Sequence, residues 1–232
     1  MNYLLDLLGI LFLFPLTLFV IYFGKHLHKN EHKYYVIIGL FALLTGIYAI
    51  YLQVIGTDLK VENRVLYALV FQGHTTFPFF VLVMFAGAFK KKSKPKLTLM
   101  KVRRELAIIG FLFLIPHAFL LVWLALTNLN PTGTIAFLIM LPLFVTSFPK
   151  IRKKMHPLQW RKLHKWAYLS YAMIYIHIAS ITIVFNLMNN TGTELLFGFV
   201  RFGLYTAIFG VYTYLKFKNY ILTETPKNTK TA

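Results

Sequence analysis

Three histidines in this chain are spaced as if to do chemistry. His164 and His177 stand thirteen residues apart in what reads as one apolar helix, and His117 follows Arg104 by thirteen residues on another. An imidazole in hydrocarbon is expensive and rare, so each is a functional candidate by default. At ~1.5 Å per residue, His117 lies ~20 Å past Arg104 and His177 ~18 Å past Lys165, along helices running outward from one basic face. The two therefore share a depth. Facing neutral imidazoles at one depth make the axial pair of a six-coordinate haem, whereas either alone would read as a polar residue satisfied by a neighbouring carbonyl or hydroxyl. His164 is ~20 Å below His177, which suits a second haem or an interfacial histidine. Its azimuth is awkward, because thirteen residues at ~100° each leave the two side chains ~140° apart.

Two further residues are candidates of a different kind. His74, in Gln72-Gly73-His74-Thr75-Thr76, falls near the same outer depth. It reads as an alternative ligand, a contact to a quinone carbonyl or external substrate, or a packing residue bonding across helices. Arg201 is a charge well inside an apolar segment. It must pair or snorkel, and a haem propionate, Glu194 or outer headgroups would serve. Arg103, Arg104 and Arg161 could hold propionates or dock an acidic donor at the inner side, although charge sorting by itself accounts for them. His26, His28, His32 and His156 fall in basic loops, where solvated histidine is the default.

Membrane-spanning helices must position these groups. The chain is 58% apolar and 17% aromatic with a mean hydropathy of +0.63, which places it outside soluble domains. Seven apolar segments are legible, about Leu4–Phe23, Tyr34–Ile55, Val65–Phe89, Leu106–Leu126, Thr134–Ser147, Trp166–Leu187 and Leu195–Phe217. The expected fold is an all-α polytopic bundle: 1–55 with two N-terminal helices, 56–217 a haem-binding core, and 218–232 a short tail. Pro15, Pro78, Pro116 and Pro142 fall inside segments and are expected to kink them. Of the 25 basic residues, 22 fall in alternate loops and at the C-terminus, leaving Lys60, Arg64 and Arg201 elsewhere. By the positive-inside rule the chain sits in the cell membrane with its N-terminus outside and its C-terminus in the cytoplasm. Asp6 and the position of the lysines after the first apolar run argue against a cleaved leader.

The same features exclude other chemistry. A net charge of +18 is explained by insertion and anionic lipid, so nucleic acid is not an expected partner. The absence of cysteine excludes disulfides, iron–sulfur clusters and covalent haem, so any haem is b-type. No dinucleotide or phosphate-loop motif occurs, and a flavin or quinone is supplied in trans.

The segment Arg103-Arg104-Glu105-Leu106 with Phe113 and His117, followed by Trp160-Arg161-Lys162-Leu163-His164-Lys165-Trp166-Ala167-Tyr168-Leu169 and His177, resembles the ferric reductase-like transmembrane domain. Within that family it looks most like the haem-binding membrane subunit of the bacterial methionine sulfoxide reductase system. The resemblance covers roughly residues 65–217 and implies a six-helix core, to which this chain adds an N-terminal span. It also implies His117, His164 and His177 as haem ligands. Electrons would pass from a cytoplasmic flavin reductase or membrane quinol to an external protein or small molecule, making the chain the electron-transfer subunit of an oxidoreductase. One haem is expected and a second is permitted. The pattern departs where Arg103 stands fourteen residues before His117, in place of the wider family's second histidine. A rival reading is a seven-span transporter or receptor-like protein whose histidines bind a solute, a metal or protons; a third is a cofactor-free structural subunit.

Overall fold

Hydrocarbon offers the backbone no partners, so long apolar runs must close their own hydrogen bonds. The computed structural model describes residues 5, 7–55, 63–128, 131–183 and 191–224, and among them there are helices and no strand. Helices α1 (Leu8–Leu11) and α2 (Leu13–Lys29) run almost continuously to Asn30, whose side chain donates back to the His26 carbonyl at 3.1 Å. The chain then returns as α3 (Glu31–Val54). Asn63 caps α4 (Arg64–Leu66) by accepting the Leu66 N–H at 2.9 Å. A π turn over Tyr67–Phe71 leads to α5 (Thr76–Ala88) and α6 (Lys94–Asn128). After α7 (Pro131–Val145), α8 (Pro149–Arg152) and α9 (Pro157–His164) each begin on a proline, where its missing N–H is not needed. Helices α10 (Ala167–Ile181) and α11 (Gly192–Glu224) complete the bundle.

Among the described residues, four stretches are long and apolar enough to cross a membrane: Leu8–Lys29, Glu31–Leu52, Arg64–Ala88 and Gly192–Ile221. Helix α7 is apolar but has fifteen residues. The segments expected at Leu106–Leu126 and Trp166–Leu187 coincide with parts of α6 and α10, while residues 184–187, the loop at 56–62 and the tail beyond 224 lie outside the described residues.

Helix α5 is the axis of the bundle. Of its stretch 67% is buried, against 17% of Leu8–Lys29 and of Gly192–Ile221, so the latter keep broad apolar faces outward, as lipid requires. Leu82, Val83 and Ala86 of α5 pack on Val102, Leu106 and Ile109 of α6, with Val20 and Leu27 of α2 closing the cluster. The α5–α6 approach depends on Gly110, where a Cβ would come within 2.8 Å of Phe79 Cβ. Small residues that let backbones meet are the usual means of helix association in lipid.

Three expectations are corrected at this level. The third apolar segment is not one helix: it breaks over Gln72–Thr75, with Gly73 at φ +74°. His164 and His177 are not on one regular helix either, because Lys165 and Trp166 make i→i−3 bonds at 3.2 and 3.0 Å that separate α9 from α10. Such a step winds by ~120° per residue instead of ~100°, which narrows the expected azimuthal gap without closing it. Pro15 and Pro78 occupy the first turns of α2 and α5, where no helical bond is forfeited, whereas Pro116 and Pro142 are interior.

Candidate functional site

The break in the third segment builds the end of the bundle opposite the basic loops. Gly73 takes a left-handed conformation that other residues adopt only with strain, and the turn it makes leaves carbonyls without helical partners. Thr75 serves the Leu69 carbonyl twice, through its N–H at 3.0 Å and its hydroxyl at 2.7 Å. The Phe71 carbonyl is met by His117 Nδ1 from α6 at 2.5 Å. That bond fixes the tautomer: Nδ1 carries the proton and Nε2 is the ring's acceptor nitrogen, the arrangement found behind metal-bound histidines.

His177 of α10 meets His117 with ring centroids 6.2 Å apart and planes at 74°. Two imidazoles whose nitrogens lie ~2.0 Å on either side of one metal ion have centroids about 6 Å apart. Nδ1 of His177 is buried and has no hydrogen-bond partner among the described residues. A buried polar atom left unsatisfied is costly, which makes it a signal. Gly133 of α7 backs this ring so closely that a Cβ there would lie 2.7 Å from it, and a Cβ on Gly73 would touch the His117 ring at 3.6 Å. One anchored imidazole and one unpartnered imidazole, with glycine against each ring, are a donor pair that would suit a b-type haem.

The other candidates have separate settings. His74 is 7% exposed and its Nε2 contacts Gln72 Oε1 at 3.1 Å. Its Nδ1 is directed to α1, 3.2 Å from the Cβ position of Gly9, and the Tyr205 hydroxyl lies 3.1 Å from the same point. Arg201, one turn before Tyr205, is close enough for its charge to act on His74. His164 stacks on Trp160 with centroids 4.0 Å apart and shares a 3.2 Å hydrogen bond between Nε2 and Thr146 Oγ1. The Trp160 indole donates to the Thr146 carbonyl at 3.1 Å while the Arg152 guanidinium lies over the ring, 4.6 Å from its centroid. Burial, then the Arg103 and Arg152 charges, push the His164 pKa down to about 4, so the imidazole is neutral at physiological pH.

Arg103 and Arg104 diverge. Arg103 acts on Tyr171 and His164. Arg104 turns to Glu31 and Glu105, meeting the latter at 2.6 Å. The partly exposed His28 joins the same group through Nδ1, 2.9 Å from Glu105 Oε1. Sequence reasoning passed over Gly133, Tyr205 and this His28–Glu31–Glu105 cluster. The available signal was scarcity, since the chain has seven acidic residues in all.

No family model, curated protein or solved structure matches the chain. The resemblance to ferric reductase-like domains therefore rests on the quoted residues alone.

Proposed function

We propose that this protein is a transmembrane b-type cytochrome that carries electrons from a cytoplasmic flavin reductase or a quinol to an acceptor outside the cell. The observation that carries the reading is the His117–His177 pair, two imidazoles from different helices at 6.2 Å beside glycines. When bound between them, haem would supply a one-electron centre. The protein's part is to hold and insulate it. The Phe71 carbonyl orients His117, α10 delivers His177, and the apolar side chains of Phe77, Phe80, Val81, Met84, Ile174 and Phe209, which enclose a small gap, keep water from the interior. His74 and Arg201 flank the outer end, where the acceptor would approach. The finer architecture belongs to the same proposal: seven spans, an outside N-terminus and a six-helix ferric reductase-like core with one added N-terminal span.

The test is optical. Detergent-purified protein should show an intense Soret band and a sharp reduced α-band. His117→Ala and His177→Ala should each abolish the same low-spin haem, while His164→Ala should keep it. Colourless protein made with ample haem would overturn the reading. It would favour the rival, a transporter or receptor, which is supported by the broken helix bearing Gln72 and His74; unwound segments at membrane depth commonly line solute and ion sites.

A further inference from the structure

At the basic end of the bundle, α2, α3 and α6 bring together His28, Glu31, Tyr35, Arg104 and Glu105. The ligand atoms of His28, Glu31 and Glu105 all lie within 4.8 Å of one another. Two carboxylates share one guanidinium there, and the only other basic groups at them among the described residues are imidazoles, His28 at 2.9 Å from Glu105 and His32 at 4.0 Å from Glu31, so with both rings neutral one negative charge is unmatched. Glu105 is 1% exposed, and an uncompensated charge at such a depth is strongly disfavoured. Three buried polar atoms are also unpartnered among the described residues: Glu105 Oε2, Tyr35 Oη and Arg104 Nε. An ordinary ion-pair network would satisfy them. Arg104 Nε is a donor that a cation would not satisfy, but the two oxygens, Glu105 Oε2 and Tyr35 Oη, leave acceptor capacity for an additional positively charged species.

We propose that His28, Glu31 and Glu105 form a binding site for a divalent transition-metal ion that clasps the N-terminal hairpin to α6. One imidazole with two carboxylates suits zinc, manganese or iron(II), whereas magnesium and calcium take oxygen ligands. Donors ~2.1 Å from one tetrahedral ion stand about 3.4 Å apart, so the widest of the three pairs must close by as much as about 1.4 Å, a movement within reach of side-chain rotation. The route in is open, since the His28 side chain is 58% exposed and that of Arg104 35% exposed. As the ion takes the carboxylates, Arg104 withdraws to solvent. The site shares no residue with the proposed haem pair and stands independently of it.

The test uses the full-length protein in detergent, with Zn2+ and Mn2+ as probes, Mg2+ as control, and equilibrium dialysis and unfolding temperature as readouts. One ion should bind per chain and raise the unfolding temperature. His28→Ala, at a mostly solvated side chain, and Glu31→Gln should each weaken binding at least ~10-fold without changing the helical content or any Soret band. His26→Ala and His156→Ala should bind as the wild type does. Undiminished binding in His28→Ala, no saturable binding, or equal binding of Mg2+ would overturn the proposal. So would stability that responds to pH but not to metal, which would assign the missing charge to a proton on His28.

Discussion

A methyl group added at Gly133 would lie 2.7 Å from the His177 imidazole, so Gly133→Ala must move that ring. The expected result is a broadened or high-spin haem spectrum in a folded protein; an unchanged spectrum would remove His177 from the ligand pair. Gly73→Ala should behave differently, because its Cβ meets His117 at an ordinary 3.6 Å. Its cost is the left-handed φ, about 1–2 kcal/mol, read as a lower unfolding temperature. His164 makes a pH prediction. Burial first, then Arg103 and Arg152, hold its pKa at about 4, against ~6.5 in an unfolded chain. The folded state binds this proton less tightly, so the stabilisation is complete above about pH 6.5 and fades as pH falls towards 4. The unfolding temperature of the wild type should drop more steeply across that window than that of His164→Gln. Parallel slopes would mean that the Trp160 stack does not depend on a neutral ring.

Between elements, the tightest seam is α5 against α6. Gly110→Ala places a methyl 2.8 Å from Phe79 Cβ, and with backbone behind it the strain should lower stability by about 1–3 kcal/mol. Gly39 on α3 has no atom within 4 Å of its Cβ position, so Gly39→Ala should be neutral or slightly stabilising, since alanine favours helix by about 1 kcal/mol. Equal effects at the two glycines, measured by denaturant or thermal unfolding, would refute close packing as the organising feature of α5. The seam also explains why a local break in the third segment is tolerated: α5 is fixed along its length by α6, and His117 from α6 satisfies the Phe71 carbonyl that the break exposes.

For the whole molecule, the asymmetry of 22 basic residues against three sets an expected orientation. A C-terminal tag should be modified only from the cytoplasm and an N-terminal tag only from outside; both tags on one side would require an even number of spans. If the protein is the proposed cytochrome, its donor can be tested as well. NADH or NADPH alone should leave the haem oxidised, and a flavin reductase or quinol should reduce it. Reduction by an acidic protein donor should slow as ionic strength passes ~0.1 M, where screening limits these charges to about 10 Å. Direct reduction by nicotinamide in oriented vesicles would overturn the electron route.

Composition and apolar run length alone determined the all-helical character and the capacity to cross a membrane, because hydrocarbon permits few backbone solutions. The common depth of His117 and His177 was equally legible, since helical rise is constant from residue to residue. Only the tertiary structure decided how those depths are used. It placed Gly133 against His177, turned His74 towards α1 and α11, and drew Arg104 away to Glu31 and Glu105. Each depends on helix azimuth and on contacts between segments far apart in sequence, which hydropathy does not encode. The step at Lys165–Trp166 and the turn at Gly73 are local, yet small rotations there redirect every side chain beyond them. The buried acidic cluster escaped a reading based on segments because its members come from three helices and meet only when those helices pack.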